Sequence, residues 1–153
     1  MFEESAKGLS AYGTALCFAR GKAREVASRF PGATVLGADT VVSLDGEILG
    51  KPKSKEDAKR MLGMLSGRAH AVYTGVCIVR GDREVSKVVT SRVIFRGLSD
   101  ELIERYVASG LPLDKAGAYG IQDGYPLVDR YEGSYTNIIG LPVETVREML
   151  AEL

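Results

Sequence analysis

Histidine and cysteine are scarce in this sequence, which contains one histidine, His70, and two cysteines, Cys17 and Cys77. The cysteines lie far apart without metal-binding spacing, so a Cys/His zinc site is excluded. A single histidine in a strand pattern gives little basis for a Ser/His/Asp triad, and we expect it to be structural. We predict two free, buried thiols in a reducing cytosol, and a disulfide is the less favoured alternative.

Net charge and long apolar runs are also missing. The 20 Lys and Arg residues are balanced by 20 Asp and Glu residues, which argues against a nucleic-acid-binding or membrane-surface protein because both need a basic face. No apolar run approaches the roughly 18 residues of a spanning helix, and the start does not resemble a signal peptide. The 153 residues, 45% of them hydrophobic, predict one cytoplasmic domain, residues 1–153, with a real core.

Helical and strand patterns alternate along the chain. Apolar residues at helical spacing, serine N-caps and Pro or Gly stops mark the helices. Asp45-Gly46 indicates a two-residue hairpin. The pattern predicts the α/β class (mixed α+β), with a mixed sheet and helices. The predicted elements are a helix at 14–30, a strand at 33–44, a helix after Ser54, strands at 69–79 and 84–95, a helix after Ser99 and a last helix from Pro142.

Asp39 interrupts an apolar strand pattern in "GADTVVSLDGEILGKP", residues 37–52. A carboxylate among apolar residues needs a cation or a metal ion beside it. Lys51 returns after the hairpin on a chain stiffened by proline, and Lys22 lies on the preceding helix. Two ammonium groups can hold phosphate oxygens while the carboxylate holds a divalent ion or activates water, so these residues predict a polyphosphate site. The alternative is a strand-end acid and two solvated surface lysines.

A second candidate segment is "PLDKAGAYGIQDG", residues 112–124. Its glycines let backbone amides approach a ligand, and Gln122 offers both a donor and an acceptor to the edge of a base. The alternative is a glycine-rich turn that holds strands together. The glycine-rich segments match neither the P-loop pattern nor the Rossmann fingerprint.

These segments resemble successive blocks of the Maf (septum-formation inhibitor-like) nucleotide pyrophosphatases. The blocks are "GADTVVSLDGEILGKP", "MLSGRAHAVYTGV", "PLDKAGAYGIQ" and "EGSYTNIIGLP". They occur in the family's order, and the match runs from about residue 3 to the C-terminus. Several independent blocks in register are much more specific than any single motif.

The resemblance implies a hydrolase that cleaves nucleoside triphosphates to monophosphate and pyrophosphate with a divalent cation, Mg or Mn. It also implies an elongated, twisted mixed sheet with flanking helices, as in Maf/ITPase-like proteins, and a homodimer. Such enzymes remove non-canonical or surplus nucleotides, a house-cleaning role in nucleotide metabolism.

The family's functional residues correspond to particular positions of this sequence. The resemblance implies that Asp39 is the proton acceptor and metal-binding carboxylate, and that Lys22 and Lys51 bind phosphates. Glu3 in "FEES" is the best match to a further acid of the family, and we include it among the substrate-binding residues.

Base selectivity is implied at Thr40 and Gln122. The family's branch for 7-methylated guanine nucleotides usually has Gln and Glu at these two positions. Thr40 with Gln122 is similar to the branch that takes dTTP, UTP and related pyrimidine nucleotides, and this disfavours a purine-directed house-cleaning pyrophosphatase.

The sequence departs from the family at its start. Family members begin with a strand and an S-x-S-x-R-R loop whose arginines and amides grip the nucleotide, and residues 1–20 contain nothing similar. We therefore expect an N-terminally short Maf-like domain that binds pyrimidine nucleotides but turns them over poorly. The alternative function is a nucleotide-binding regulatory protein with little or no turnover.

Overall fold

The fold is described for residues 10–153, from a computed structural model. Helices and strands alternate along it, with two 3-10 turns at Leu111–Asp114 and Ala116–Ala118. In chain order the other elements are α1 (Ala11–Arg29), β1 (Thr34–Leu44), β2 (Glu47–Leu49), α2 (Lys55–Leu65), β3 (Ala69–Arg80), β4 (Arg83–Phe95), α3 (Asp100–Ala108), β5 (Val128–Glu132), α4 (Tyr135–Ile138) and α5 (Val143–Glu152).

The strands form one five-stranded sheet in the order β2-β1-β3-β4-β5, which confirms the α/β class with a sheet flanked by helices. Each neighbouring pair among these five strands is antiparallel. A mixed sheet would also contain a parallel pair. Residues 10–153 contain none, so the sheet that they form is antiparallel. That residues 1–153 form one domain stays a prediction.

Most element boundaries follow from local chemistry. The side chains of Ser54 and Ser99 accept hydrogen bonds from the backbone N–H groups three residues on, as N-caps do. The hairpin at Asp45-Gly46 has φ values of 50° and 84°. These positive values match a type I′ turn, in which Asp and Gly are favoured.

Two local features differ from the sequence prediction. Helix α1 begins at Ala11 and not at residue 14, because Ser10 accepts a hydrogen bond from the backbone N–H of Gly13 at 3.1 Å. The single-turn helix α4 was not predicted, because one turn is too short to show a 3.6-residue period. It is capped by Ser134, which accepts from the backbone N–H of Asn137.

Helix α1 packs closely on one face of the sheet. Its buried residues are alanines spaced four apart, namely Ala11, Ala15, Ala19 and Ala23. The sheet meets this strip with Gly37 on β1 and Gly75 on β3, where there is no room for a side chain. A Cβ atom built on Gly37 would lie 2.6 Å from the carbonyl oxygen of Ala19. The small residues therefore bring the helix backbone against the strands.

The opposite face of the sheet carries the largest apolar cluster. Side chains of β1 such as Val42 and Leu44 pack there with α2 and α3, while Val41, one residue away, packs with α1. This alternation is the period of two expected of a strand covered on both faces. No helix in residues 10–153 is both long enough and apolar enough to cross a bilayer.

Candidate active site

Lys22 and Asp39 form an ion pair between α1 and β1. The Nζ atom of Lys22 lies 2.9 Å from Oδ1 of Asp39 and also donates to the carbonyl oxygen of Ala38 at 3.2 Å. The side chain of Lys22 is 48% exposed and that of Asp39 is 22% exposed. The structure thus brings these two predicted site residues together, with both groups still open to a ligand.

Asp39 and Thr40 are neighbours in sequence but point to opposite faces of the sheet. Asp39 shares the α1 face with Gly37, and Thr40 shares the other face with Val42, because successive side chains of a strand alternate. The Thr40 hydroxyl lies 2.9 Å from that of Thr74 on β3. Strand β1 therefore presents the Asp39 carboxylate on one face of the sheet and the Thr40 hydroxyl on the other, at adjacent positions along the strand.

Lys51 lies two residues beyond the end of β2, after Gly50, and is exposed. Strand β2 pairs with β1 as far as Leu49, which lies opposite Val42. The carbonyl oxygen of Gly50 accepts a hydrogen bond from the backbone N–H of Gly117 at 3.1 Å. Lys51 therefore lies near both candidate segments, although its ammonium makes no hydrogen bond or ion pair with residues 10–153.

A pocket of about 200 Å³ opens on the face that carries Thr40. This volume is below the roughly 300 Å³ at which pockets for whole drug-sized ligands begin, so it suits one ring system of a larger ligand. Thr40 and Gln122, the two residues predicted to select the base, both line it. The other lining residues are Val42, Val72, Lys115, Ala116, Tyr119, Gly120, Ile121, Ile138, Ile139 and Gly140.

The turn that carries Gln122 is held by a polar network that the sequence reading did not single out. The Tyr106 hydroxyl donates to Oδ2 of Asp123 at 2.6 Å and accepts from the backbone N–H of Gly120 at 2.8 Å. Lys115 Nζ lies 3.2 Å from the same Asp123 oxygen. Burial, followed by the hydrogen bond to Asp123, raises the pKa of Tyr106, which keeps the phenol a donor. In the sequence, only Lys115 and Asp123, two of the three charged residues of "DKAGAYGIQD", indicated this network.

A second buried network supports the opposite wall of the pocket. Asn137 on α4 is completely buried, and its side-chain amide donates to the carbonyl oxygen of Val72 at 3.2 Å and to Ser91 Oγ at 2.9 Å. These bonds fasten α4 to β3 and β4, and the residues that follow α4 line the pocket. Sequence reasoning missed Asn137 because its partners are distant in the chain.

His70 is buried and contacts Tyr119, which lines the pocket; that it is structural stays a prediction. Its Nε2 atom is 2.6 Å from the hydroxyl of Tyr119, and the imidazole makes edge contacts with Tyr119 and Phe95. Burial lowers the pKa of His70 to about 4, so the ring is neutral near pH 7. Cys17 and Cys77 are both free, as predicted, but only Cys77 is buried; Cys17 is partly exposed, so the prediction of a buried thiol is wrong there. Burial raises the pKa of the Cys77 thiol to about 11.

Asp39 is the predicted carboxylate for a divalent cation, and this role stays a prediction. Within residues 10–153 no three His, Cys, Asp or Glu side chains converge as a metal site. One carboxylate still suits Mg²⁺ or Mn²⁺, because such ions commonly take one or two carboxylates together with water and substrate phosphates. Glu3, the remaining predicted site residue, lies outside the described residues.

Comparisons with known proteins agree with this picture. A family model described as "Maf-like protein" matches residues 2–153. The chain is 57% identical over 133 residues to a protein of Thermococcus onnurineus, covering 86% of this chain and 72% of that protein. It is 46% identical over 138 residues to a Pyrococcus furiosus protein (90% and 73%) and 52% identical over 132 residues to one from Symbiobacterium thermophilum (86% and 68%). Each of the three relatives is named dTTP/UTP pyrophosphatase.

Proposed function

Because this chain belongs to the Maf-like protein family, we propose that it is a nucleoside triphosphate pyrophosphatase acting on dTTP, UTP and related pyrimidine nucleotides. The names of its relatives support this substrate class. The observation that carries the proposal is the Lys22–Asp39 pair at 2.9 Å, next in the chain to a hydroxyl that lines a ring-sized pocket. We assign the phosphates to the first feature and the base to the second.

The nucleotide would bind with its base against Thr40 and Gln122 and its triphosphate beside β1. Lys51, an exposed residue just beyond β2, would contact the phosphates. Lys22 has three N–H donors, so it can bind a phosphate oxygen without releasing Asp39. Glu3 remains a proposed substrate-binding residue.

The proposed reaction is attack of water on the α-phosphorus. Asp39 accepts a proton from the water molecule while the water oxygen forms its bond to the α-phosphorus. The bond between the α-phosphorus and the bridging oxygen breaks, and pyrophosphate leaves with that oxygen. Lys22 and Lys51 offset the negative charge that is spread over the phosphate oxygens. The products are a nucleoside monophosphate and pyrophosphate.

Mg or Mn is the proposed cofactor. Asp39 would hold the cation together with oxygens of the substrate, and the cation would supply further positive charge at the phosphates. The chain itself would supply Asp39 as the proton acceptor and the two lysines as contacts for the triphosphate.

We also propose a cytoplasmic homodimer that acts on free nucleotides and binds neither nucleic acid nor membranes. The free thiols of Cys17 and Cys77 fit a reducing compartment. The exposed rings of Tyr131 and Tyr135, with centroids 5.5 Å apart, form an apolar surface that a second copy of the chain can cover. House-cleaning of the nucleotide pool is the physiological role that this activity would serve.

Pyrophosphate release over a nucleotide panel tests the proposal. The panel contains dTTP, UTP, CTP, dGTP and 7-methyl-GTP, each with magnesium and with manganese. We expect the highest kcat/KM for dTTP and UTP. Binding of dTTP by calorimetry without pyrophosphate release would favour the nucleotide-binding regulatory protein. A preference for 7-methyl-GTP would contradict the assignment of the base pocket.

A further inference from the structure

The hydroxyls of Thr40 and Thr74 face each other across the β1–β3 ladder. The two residues are register partners, and their Oγ1 atoms lie 2.9 Å apart. Thr74 is completely buried, whereas Thr40 lines the pocket. Two further contacts complete the group: Thr74 Oγ1 lies 3.3 Å from the carbonyl oxygen of Asn137, and Thr40 Oγ1 lies 3.4 Å from that of Gly140.

The number of protons limits how these contacts can be made. Each hydroxyl has one proton, and a carbonyl oxygen can only accept. When Thr74 donates to Asn137, Thr40 donates to Thr74. When Thr74 donates to Thr40, the proton of Thr40 goes to Gly140. In both arrangements an acceptor of the protein lies within reach of the Thr40 proton, at 2.9 Å in the first and at 3.4 Å in the second, which leaves a lone pair of the Thr40 oxygen for the pocket.

We propose that Thr74 is a positioning residue that makes Thr40 a hydrogen-bond acceptor towards the ligand and so helps to select the base. This inference rests on the proposed function. Thymine and uracil carry a hydrogen on ring nitrogen N3, and an accepting hydroxyl can bind it. The corresponding nitrogen of cytosine is itself an acceptor, so two lone pairs would meet and the base would be disfavoured.

Asn137 holds the buried end of the hydrogen-bond chain that runs from Thr40 through Thr74. Its backbone carbonyl is the acceptor for Thr74, and its side chain is anchored by the bonds to Val72 and Ser91 described above. Because both the helix turn and the strand are held, the Asn137 carbonyl stays within reach of the Thr74 hydroxyl. This favours the arrangement in which Thr74 donates to Asn137 and Thr40 donates to Thr74. A buried network of this kind favours one hydrogen-bonding role, here that of an acceptor, for the Thr40 hydroxyl at its exposed end.

Thr74→Val tests this role because it removes the hydroxyl and keeps the branched shape. Thr40 then loses its 2.9 Å partner on β3 and keeps only the longer 3.4 Å contact to the Gly140 carbonyl, so its proton can turn more readily to the ligand. We expect the ratio of kcat/KM for UTP to that for CTP to fall by on the order of tenfold, the effect of mispairing one buried polar group. The change should lie mainly in the KM values, because the phosphate contacts are unchanged.

Two further variants separate the hydroxyl from packing. Thr74→Ser keeps the proton and should retain the UTP preference of the parent. Thr90→Val, at an exposed β4 position, is the matched control and should leave the ratio unchanged. Thermal unfolding shows whether Thr74→Val is folded. If it is not, Thr74→Cys takes its place, since a thiol is only a weak donor.

The outcomes distinguish a failure of the proposed function from a failure of the inference about Thr74. A parent that does not hydrolyse UTP or dTTP contradicts the proposed function itself. A parent that prefers UTP, together with a folded Thr74→Val or Thr74→Cys variant of unchanged ratio, overturns the inference and leaves the proposed function standing. A ratio that falls equally in Thr74→Ser also overturns it, because packing and not the proton would then be the cause.

Discussion

The ammonium of Lys22 on α1 lies 2.9 Å from the carboxylate of Asp39 on β1. This contact depends on how closely the helix approaches the sheet, and Gly37 and Gly75 allow that approach because neither has a side chain. A helix held one side chain farther out would move the lysine away from the acid. The packing of small residues and the geometry of the candidate site are thus one feature.

Asp39→Asn should reduce pyrophosphate release at least a hundredfold. The amide keeps the shape of the side chain, but it neither accepts the proton of water nor attracts a cation as a carboxylate does. The fold should remain, because both partners of the ion pair are partly exposed and such pairs contribute about 1 kcal/mol or less. Thermal unfolding checks the fold.

The matched control is Asp82→Asn at the exposed β3–β4 turn. Turnover by Asp39→Asn within a few-fold of the parent would make Asp39 a structural residue.

Lys51→Ala should weaken substrate binding and turnover together. Its ammonium is exposed and proposed to bind the triphosphate, so its removal takes away a charge contact in both the bound and the reacting states. Steady-state kinetics on dTTP would show a higher KM and a lower kcat. Lys53→Ala, two residues along the same exposed segment, is the control. Kinetic constants that match the parent would show that Lys51 is only a surface charge.

Gly75→Ala should strongly destabilise the protein. The added Cβ would overlap the carbonyl oxygen of Ala15, which is backbone and cannot rotate away. Overpacking of this kind costs about 1–3 kcal/mol or more, and α1 must shift with its lysine. Gly63→Ala is the control, because this helical glycine has nothing within 4 Å and alanine should stabilise it by roughly 0.5–1 kcal/mol. Chemical denaturation measures both, and equal stability of the two variants would refute the close α1–sheet packing.

Acid should destabilise the protein through His70. Burial lowers its pKa from 6.5 to about 4, so below pH 6.5 the unfolded chain takes up a proton that the folded protein does not. The free energy of unfolding should therefore fall by roughly 1.4 kcal/mol for each pH unit from 6.5 towards 4, and this loss should level off below.

His70→Gln isolates that contribution, because glutamine does not titrate. Hydrogen bonds to arginine lower the pKa of carboxyls such as Glu84, and these groups lose their own contribution as the pH falls, in the parent and in the variant alike. The difference between the two proteins in urea denaturation at several pH values should therefore narrow from pH 6.5 to 4. A constant difference would mean that His70 titrates normally.

The protein should sediment as a dimer at micromolar concentration. Tyr135→Glu should shift it towards the monomer, because a charge in an apolar contact must be desolvated. Phe30→Glu, at an exposed ring that ends α1, should leave the dimer intact. A clean monomer for the parent would contradict the proposed homodimer.

Much of the fold could be predicted from the sequence because its causes are local. Serine caps at Ser54 and Ser99 and the Asp45-Gly46 turn depend on residues within four positions of each other, and all three are found where the pattern predicts them. The short helix α4 and the start of α1 could not be predicted, because a single turn or a single cap leaves too little periodicity.

The sequence by itself determined that Asp39, Lys22 and Lys51 are candidates for one polyphosphate site, because their residue types suit that chemistry and a hairpin returns the third towards the first. Only the tertiary structure decided that Lys22 reaches Asp39, that Lys51 contacts neither, and that Gln122 joins Thr40 at a pocket on the other face. The physical reason is that these relationships depend on how α1 and the 112–124 segment dock on the sheet. Docking is set by contacts between residues far apart in the chain, such as Gly75 with Ala15 and Thr74 with Asn137, and no local pattern records them.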